Sequence, residues 1–79
     1  MKIQLKYFGK ILDITGITEE EWRSAAPRTL QELKEELTAK YPALRQEVYK
    51  FAVNLSLEDL DYVVKEPCEI AVLPPFSGG

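Results

Sequence analysis

The first and last stretches of the chain alternate between apolar and polar residues. In the segment 2–8, Ile3, Leu5 and Tyr7 occupy every second position between polar or charged neighbours. The segment 68–73 alternates in the same way shortly before the C-terminus. A period of two residues is typical of a strand that buries one face. The pattern therefore predicts a strand at each end of the chain.

Weaker patterns between these ends predict further strands. Segment 18–24, around Trp22, and segment 50–54 are predicted to be strands, and 61–64 is long enough for a short strand. Three consecutive glutamates in the first of these segments favour the edge of a sheet over its centre. Segment 56–61 is polar and is interpreted as a turn, whereas 11–14 fits either a turn or a short helical turn.

One segment predicts an amphipathic helix over residues 30–41. Thr29 and Glu32 have the spacing of a capping box, in which each side chain satisfies a backbone amide of the first turn. The apolar residues that follow at helical spacing are Leu30, Leu33, Leu37 and Tyr41. Pro42 then ends the helix, because the residue before a proline disfavours the helical conformation.

The predicted order is strand, strand, helix, strand, short strand, strand. One helix can cover one face of a small mixed sheet. The order therefore predicts an α+β protein with a β-grasp, or ubiquitin-like, roll: a mixed sheet of four to five strands with one main helix packed on one face. The first and last strands of such a roll lie parallel at its centre. We expect a β-grasp domain over residues 1–73 and an extended diglycine tail over 74–79.

Composition excludes several classes of function. The 79-residue chain has a formal net charge of −3, one cysteine and no histidine. Ser-His or Cys-His catalysis within the chain and a Cys/His zinc site are thereby excluded. The ten scattered basic residues argue against nucleic acid binding. No apolar run approaches the ~20 residues of a membrane span, and the N-terminus lacks a signal-peptide pattern. We expect a cytoplasmic protein that binds neither nucleic acid nor membrane.

Other candidate residues favour structural interpretations. One interpretation of Cys68 is a persulfide relay, but a small core residue at the start of a strand is the favoured interpretation. The glutamates at 19–21 are interpreted as a solvated edge, and Trp22 is left open between the core and the outer sheet face. The acidic residues of the polar turn, Glu58, Asp59 and Asp61, suggest solvation more than general acid–base chemistry.

The segment 73–79, LPPFSGG, has the most distinctive composition in the chain. Pro74 and Pro75 end the last strand and stiffen the chain as it leaves the sheet. Phe76 is the only large apolar side chain beyond the strand, so it is a candidate anchor for a partner pocket. The terminal diglycine has no side chains and can pass through a channel too narrow for a Cβ atom. The α-carboxylate of Gly79 is the reactive group, and it becomes an acyl donor once it is activated.

These features together resemble the small subunit of molybdopterin synthase, the sulfur carrier family of molybdenum cofactor biosynthesis. The resemblance rests on the length of the chain, on Tyr7-Phe8, on Ala52-Val53-Asn54 and above all on the segment 69–79, EIAVLPPFSGG. A terminal diglycine is a weak signal by itself. The sequence Pro-Pro-apolar-Ser-Gly-Gly directly after a strand is a much more specific one.

The resemblance implies a chemical cycle that partners catalyse, so the chain is non-catalytic alone. A ubiquitin-activating-like adenylyltransferase uses ATP to adenylate Gly79, and a sulfur donor system converts the acyl-adenylate into a thiocarboxylate. The large subunit of the synthase then receives the tail, and the sulfur passes to cyclic pyranopterin monophosphate. Family synthases are heterotetramers. No cofactor is bound directly by the carrier.

Site residues are implied by the same resemblance. Gly79 bears the sulfur, and Gly78 permits threading into the partner. The further partner-binding positions are Pro74, Pro75, Phe76, Ser77, Phe8 and Leu73. Many family members have Gly-Asp before the last strand, where this chain has Pro67-Cys68, so the turn chemistry here differs.

Several alternatives share the same reactive carboxylate. A sulfur carrier for thiamine thiazole, for tRNA thiolation or for cysteine synthesis would also carry a thiocarboxylate. A ubiquitin-like protein modifier would instead form an isopeptide with a lysine amine. A β-grasp interaction module would have an inert tail and would function without Gly79.

Overall fold

A computed structural model of the chain describes residues 1–75. The strands are β1 (Lys2–Tyr7), β2 (Glu19–Arg23), β3 (Arg28–Thr29), β4 (Lys50–Val53), β5 (Ser56–Glu58), β6 (Val63–Val64) and β7 (Cys68–Leu73). The helices are α1 (Gly9–Thr15), α2 (Leu30–Lys40) and a 3₁₀ helix at Pro42–Gln46. The predicted tail residues Phe76, Ser77, Gly78 and Gly79 lie outside the described residues.

Five strands form one mixed sheet in the order β2-β1-β7-β4-β5. Strands β1 and β7 run parallel, with Tyr7 paired to Val72, and the other neighbours are antiparallel. The first and last strands thus lie side by side with β7 in the middle of the sheet. The predicted β-grasp architecture, with four to five strands and one main helix on one face, is confirmed.

The predicted capping box begins α2. Glu32 donates its backbone N–H to the Thr29 hydroxyl (3.1 Å), and the Glu32 carboxylate accepts the Thr29 amide (2.9 Å). The helix ends at Lys40, one residue before the predicted end, and Tyr41 caps it. The apolar stripe of α2 packs against the inner face of the sheet. The buried core comprises Ile3, Leu5, Tyr7, Ile11, Leu30, Leu33, Leu37, Leu44, Tyr49, Phe51, Val53, Val64, Ile70 and Val72.

The interpretation of 56–61 as a turn is wrong at its start. Ser56–Glu58 is strand β5, which pairs with β4 and forms an edge of the sheet. The turn lies earlier, at Asn54 (φ 47°) and Leu55 (φ 74°). Two central residues with positive φ are typical of the tight hairpin turn that usually carries glycine at the second position. The leucine there hid the turn from sequence analysis.

Two other weak patterns are now assigned. The ambiguous segment 11–14 belongs to helix α1, which is closed by Gly16 in the left-handed conformation. The predicted short strand at 61–64 is β6, which pairs with β3 as a separate two-stranded sheet. Within residues 1–75, no helix combines the length and apolar character that crossing a membrane requires.

Candidate functional site at the tail exit

The C-terminal tail leaves from the middle strand of the five-stranded sheet. Strand β7 hydrogen-bonds to a neighbour on both sides, and its last residue, Leu73, pairs with Lys50 of β4. Pro74 is half-buried and Pro75 is exposed. The chain therefore changes from central strand to exposed segment within two residues.

An apolar strip runs across the outer face of the sheet, the face opposite α2. It comprises Phe8, Ala52, Leu57, Ala71 and Leu73. Ala71 lies directly opposite Ala52, which lies directly opposite Leu57 on the edge strand. Leu57 is 56% exposed and Phe8 is 44% exposed, whereas Ala52 is buried between its neighbours. We name this surface the outer strip; its two alanines form a shallow floor between larger side chains.

The structure brings two predicted partner-binding residues to one end of the outer strip. Tyr7 pairs in parallel with Val72, so Phe8 and Leu73 follow at the same level of adjacent strands. Both positions adjoin the residue where the tail begins, Pro74. The outer strip and the tail exit therefore form one continuous surface.

Leu57 is not among the predicted site residues, because the polar residues around it favour a turn. The signal that marks it is the alternation of Ser56, Leu57 and Glu58 once the hairpin turn is placed at Asn54-Leu55. Leu57 shares the outer face with Ala52, and large apolar side chains exposed on a sheet face are a feature of protein interaction surfaces.

Charged side chains border the outer strip. Lys6 and Glu69 form an ion pair of 3.4 Å on the same face, and each remains partly exposed to solvent. Lys50, beside Leu73, is exposed. An apolar centre with a charged, hydrated rim is the usual anatomy of a protein–protein interface.

The opposite face holds the carboxylate of Glu20, for which the prediction of a solvent-exposed position is wrong. The acidic run predicts a solvated edge at Glu20, yet its side chain is only 11% exposed. It accepts hydrogen bonds from Tyr7 Oη (2.8 Å), Trp22 Nε1 (2.6 Å), Lys40 Nζ (2.5 Å) and Tyr41 Oη (2.5 Å). The alternation of β2 turns Glu20 and Trp22 inward, which also settles the position of Trp22 on the core side.

These hydrogen bonds determine the ionisation of the Glu20 group. Burial of the carboxyl opposes its ionisation, but the four donors outweigh burial and lower its pKa to about 2. Burial and the Glu20 carboxylate both raise the pKa of Tyr7 and of Tyr41, so both phenols stay protonated donors. Both Glu20 oxygens accept two donors each, which makes this a structural tie between β2 and the end of α2.

The remaining candidates occupy structural positions. Cys68 is partly buried against the core, as predicted, and burial, followed by the nearby Glu66 charge, raises the pKa of its thiol. A raised pKa keeps the thiol protonated and poorly nucleophilic. Asn54 forms the hairpin turn, and its side-chain oxygen accepts the Glu69 amide (3.0 Å). Residues 1–75 contain no cluster of three acidic or cysteine side chains suited to a metal ion.

Comparison with known proteins places the chain among small sulfur-carrier and related β-grasp proteins. The sequence profile of the ThiS family matches residues 5–79. The molybdopterin synthase sulfur carrier subunit of Chlamydomonas reinhardtii is 31% identical over 85 residues, covering 100% of both chains.

Solved structures agree with the sequence comparisons. A Pyrococcus furiosus protein described as molybdopterin converting factor subunit 1 superposes with a TM-score of 0.85 and 25% identity, covering 94% of this chain and 97% of that one. The complex of subunits 1 and 2 of the molybdopterin-converting factor from Helicobacter pylori contains a similar chain. It has 26% identity, a TM-score of 0.70 and 100% coverage of both chains.

Proposed function

The chain belongs to the ThiS family, and on that premise we propose that it is the sulfur carrier subunit of a molybdopterin synthase. The observation that carries the proposal is the end-to-end likeness to a molybdopterin synthase sulfur carrier subunit, with 100% of both chains covered. The tail exit supports it, because the middle strand β7 leads directly into Pro74 and the exposed Pro75, and Phe-Ser-Gly-Gly follows in the sequence.

The proposed chemistry takes place at the α-carboxylate of Gly79. A carboxylate oxygen attacks the α-phosphorus of ATP on an activating adenylyltransferase, and pyrophosphate leaves. A donor sulfur at the sulfide level then attacks the acyl carbon and displaces AMP, which leaves a thiocarboxylate. The thiocarboxylate sulfur finally bonds to cyclic pyranopterin monophosphate. Water then attacks the acyl carbon of Gly79 and the carbon–sulfur bond breaks, so the sulfur stays on the pterin and the carrier returns to a carboxylate. The carrier itself binds no cofactor, and ATP belongs to the activating enzyme.

The tail residues have separate proposed roles. Gly78 and Gly79 pass through a channel that excludes side chains, since neither has a Cβ atom. Phe76 anchors in an apolar pocket of the partner, and Ser77 offers a hydroxyl for hydrogen bonding there. Pro74 and Pro75 keep the segment extended between the domain and the active site. From Pro74 to Gly79 the chain spans at most about 20 Å.

The proposed docking surface for the large subunit is the outer strip. Its apolar side chains adjoin the tail exit, so a partner that covers them holds the tail in the same encounter. The Helicobacter pylori complex shows that a similar chain binds its subunit 2. By analogy, the carrier assembles with a large-subunit dimer as a heterotetramer.

Intact-protein mass spectrometry tests the proposal. The chain is incubated with ATP, an activating adenylyltransferase shown to be competent and a sulfide source. The expected result is a mass increase equal to the replacement of one oxygen by sulfur. A chain with Gly79 deleted should show no mass change in the same incubation, because the reacting carboxylate is lost and the tail is one residue shorter.

Two further additions separate the alternatives. Adding the large subunit and cyclic pyranopterin monophosphate should return the original mass, and this identifies the pathway. A thiocarboxylate that persists under these conditions favours a carrier for thiamine thiazole or tRNA thiolation. Conjugates joined through Gly79 to lysine amines, with no thiocarboxylate, would establish a protein modifier instead. A chain that functions fully without Gly79 would be an interaction module.

A further inference from the structure

Gly9 lies where β1 ends and α1 begins, directly beside the tail exit. Its φ of +55° is in the left-handed region, and this turn takes the chain from the sheet into α1. Because Tyr7 pairs in parallel with Val72, Gly9 stands at the level of Pro74, two residues further along each strand. The first turn of the protein thus meets the first residue of the tail.

The contact between the two residues is close. A Cβ atom built on Gly9 would lie 3.0 Å from Pro74 Cγ and 3.7 Å from Pro74 Cδ. A side chain at position 9 would therefore press against the proline ring, which would have to shift to accommodate it. Pro74 is half-buried although it has left the sheet, and Pro75 beyond it is exposed.

We propose that Gly9 is a positioning residue for the C-terminal tail: it leaves room for the Pro74 ring and thereby sets the direction in which the tail leaves the domain. This inference rests on the proposed function, which requires a partner to hold the domain and to receive the tail at once. Gly9 acts through Pro74, and we assign it no part in the chemistry itself.

A methyl group at position 9 would displace the tail at its base. The Pro74 ring would have to move by several tenths of an ångström to restore an ordinary contact. Rotation about the N–Cα bond of Pro74 cannot absorb this movement, because the ring locks φ. The displacement passes to Pro75 and the residues after it, and partner catalysis is sensitive to placement errors on the ångström scale.

The chain offers a matched control in Gly16, at the other end of α1. Its φ is +74°, so an alanine there meets the same left-handed strain as an alanine at Gly9. A Cβ atom at Gly16 has no described neighbour within 4 Å. Gly9→Ala and Gly16→Ala therefore share the backbone cost, and only Gly9→Ala collides with the tail.

The proposal is tested by adenylation kinetics with a double-mutant cycle. ATP–pyrophosphate exchange on a competent activating enzyme is measured with the carrier as the varied substrate. The proteins are the wild type, Gly9→Ala, Gly16→Ala, Pro74→Ala and Gly9→Ala combined with Pro74→Ala. We expect Gly9→Ala to lower kcat/KM about five- to tenfold, since a misplacement of about 1 Å can cost about 10²-fold and the displacement here is smaller. Gly16→Ala should stay within about twofold of the wild type.

The Pro74→Ala background removes the collision. The nearest atom of residue 74 to the added methyl is then its Cβ, at 3.8 Å, an ordinary contact. Gly9→Ala should therefore cause less than about a twofold further loss of kcat/KM in that background, because uncoupled changes add. An equal loss in both backgrounds, or no loss in either, would overturn the positioning role.

Two outcomes distinguish a failure of this inference from a failure of the proposed function. A wild-type chain that a competent activating enzyme never adenylates would overturn the proposed function and with it this role. A wild type that is adenylated, with Gly9→Ala equally active, would overturn the inference alone. In the free protein, nuclear Overhauser contacts between the Gly9 α-protons and the Pro74 ring should be present, and their absence would also contradict it.

Discussion

The same strands form both faces of the five-stranded sheet, but the side chains of the two faces differ in burial. On the inner face, side chains are buried against α2, and the carboxylate of Glu20 has four donors from within the chain. On the outer face, Leu57 and Phe8 remain largely exposed. Within residues 1–75, the inner face is covered by other elements of the fold, whereas Leu57 and Phe8 on the outer strip stay exposed. The difference separates residues that stabilise the fold from residues available to a partner.

The largest expected loss of stability comes from a substitution at the aromatic centre of the inner face. Phe51 is 2% exposed and packs edge-to-face with Tyr49 at a centroid distance of 5.6 Å. Phe51→Ala should lower the free energy of unfolding by about 3–5 kcal/mol, because it removes buried apolar area and leaves a cavity. Urea denaturation followed by circular dichroism measures the change.

A milder variant covers the case in which Phe51→Ala does not fold. Phe51→Leu keeps most of the volume and should lose about 1 kcal/mol. A Phe51→Leu chain as stable as the wild type, together with a folded Phe51→Ala chain that loses under about 1 kcal/mol, would contradict the placement of Phe51 in the core.

The next effect concerns the Glu20 tie between β2 and α2. Glu20→Gln removes the charge and directs an amide donor toward hydroxyl, indole and ammonium donors. We expect a loss of about 2 kcal/mol in unfolding free energy near neutral pH, since buried donors are left unpaired. Glu19→Gln makes the same chemical change at an exposed position of the same strand and should stay within about 0.5 kcal/mol. Equal losses for the two variants would place Glu20 in solvent after all.

Acid should remove the advantage of Glu20 over glutamine. The pKa of Glu20 is lowered from its ordinary value of 4.5 to about 2 in the folded chain. A group with a lowered folded pKa stabilises fully above its unfolded pKa and loses that contribution as pH falls toward the folded pKa. The difference in unfolding free energy between the wild type and Glu20→Gln should therefore shrink between about pH 5 and pH 2. Urea titrations at several pH values measure it, and a difference that stays constant would rule out the pKa shift.

The smallest expected effect on stability comes from a substitution on the outer face. Leu57 is 56% exposed, so Leu57→Ala should change the unfolding free energy by no more than about 0.5 kcal/mol. If the outer strip binds the large subunit, the same variant should weaken that affinity about five- to tenfold, as truncation of an interface side chain does. Calorimetric titration with the large subunit measures the change.

An exposed apolar residue away from the outer strip serves as its control. Val63, on the separate β3–β6 sheet, is 44% exposed, and Val63→Ala should leave the affinity unchanged. Equal affinities for Leu57→Ala and the wild type would move the docking surface elsewhere.

Local patterns in the sequence determined most of the fold. Alternation placed β1 and β7 with nearly their observed bounds, and the capping box with the apolar stripe placed α2 within one residue at its C-terminal end. These features were predictable because short-range backbone and burial preferences act within a few residues of the chain. The composition of the tail likewise indicated where the candidate chemistry lies.

Only the tertiary structure decided which residues meet. Glu20 belongs to an acidic run in the sequence, and its burial follows from four donors that β1, β2 and the end of α2 bring together. Leu57 lies on the outer strip because the turn at Asn54-Leu55, which has no glycine, pairs β5 with β4. Gly9 and Pro74 are far apart in the chain, and the parallel pairing of β1 with β7 sets them in contact. Such contacts depend on strand register and packing, and no local pattern encodes them.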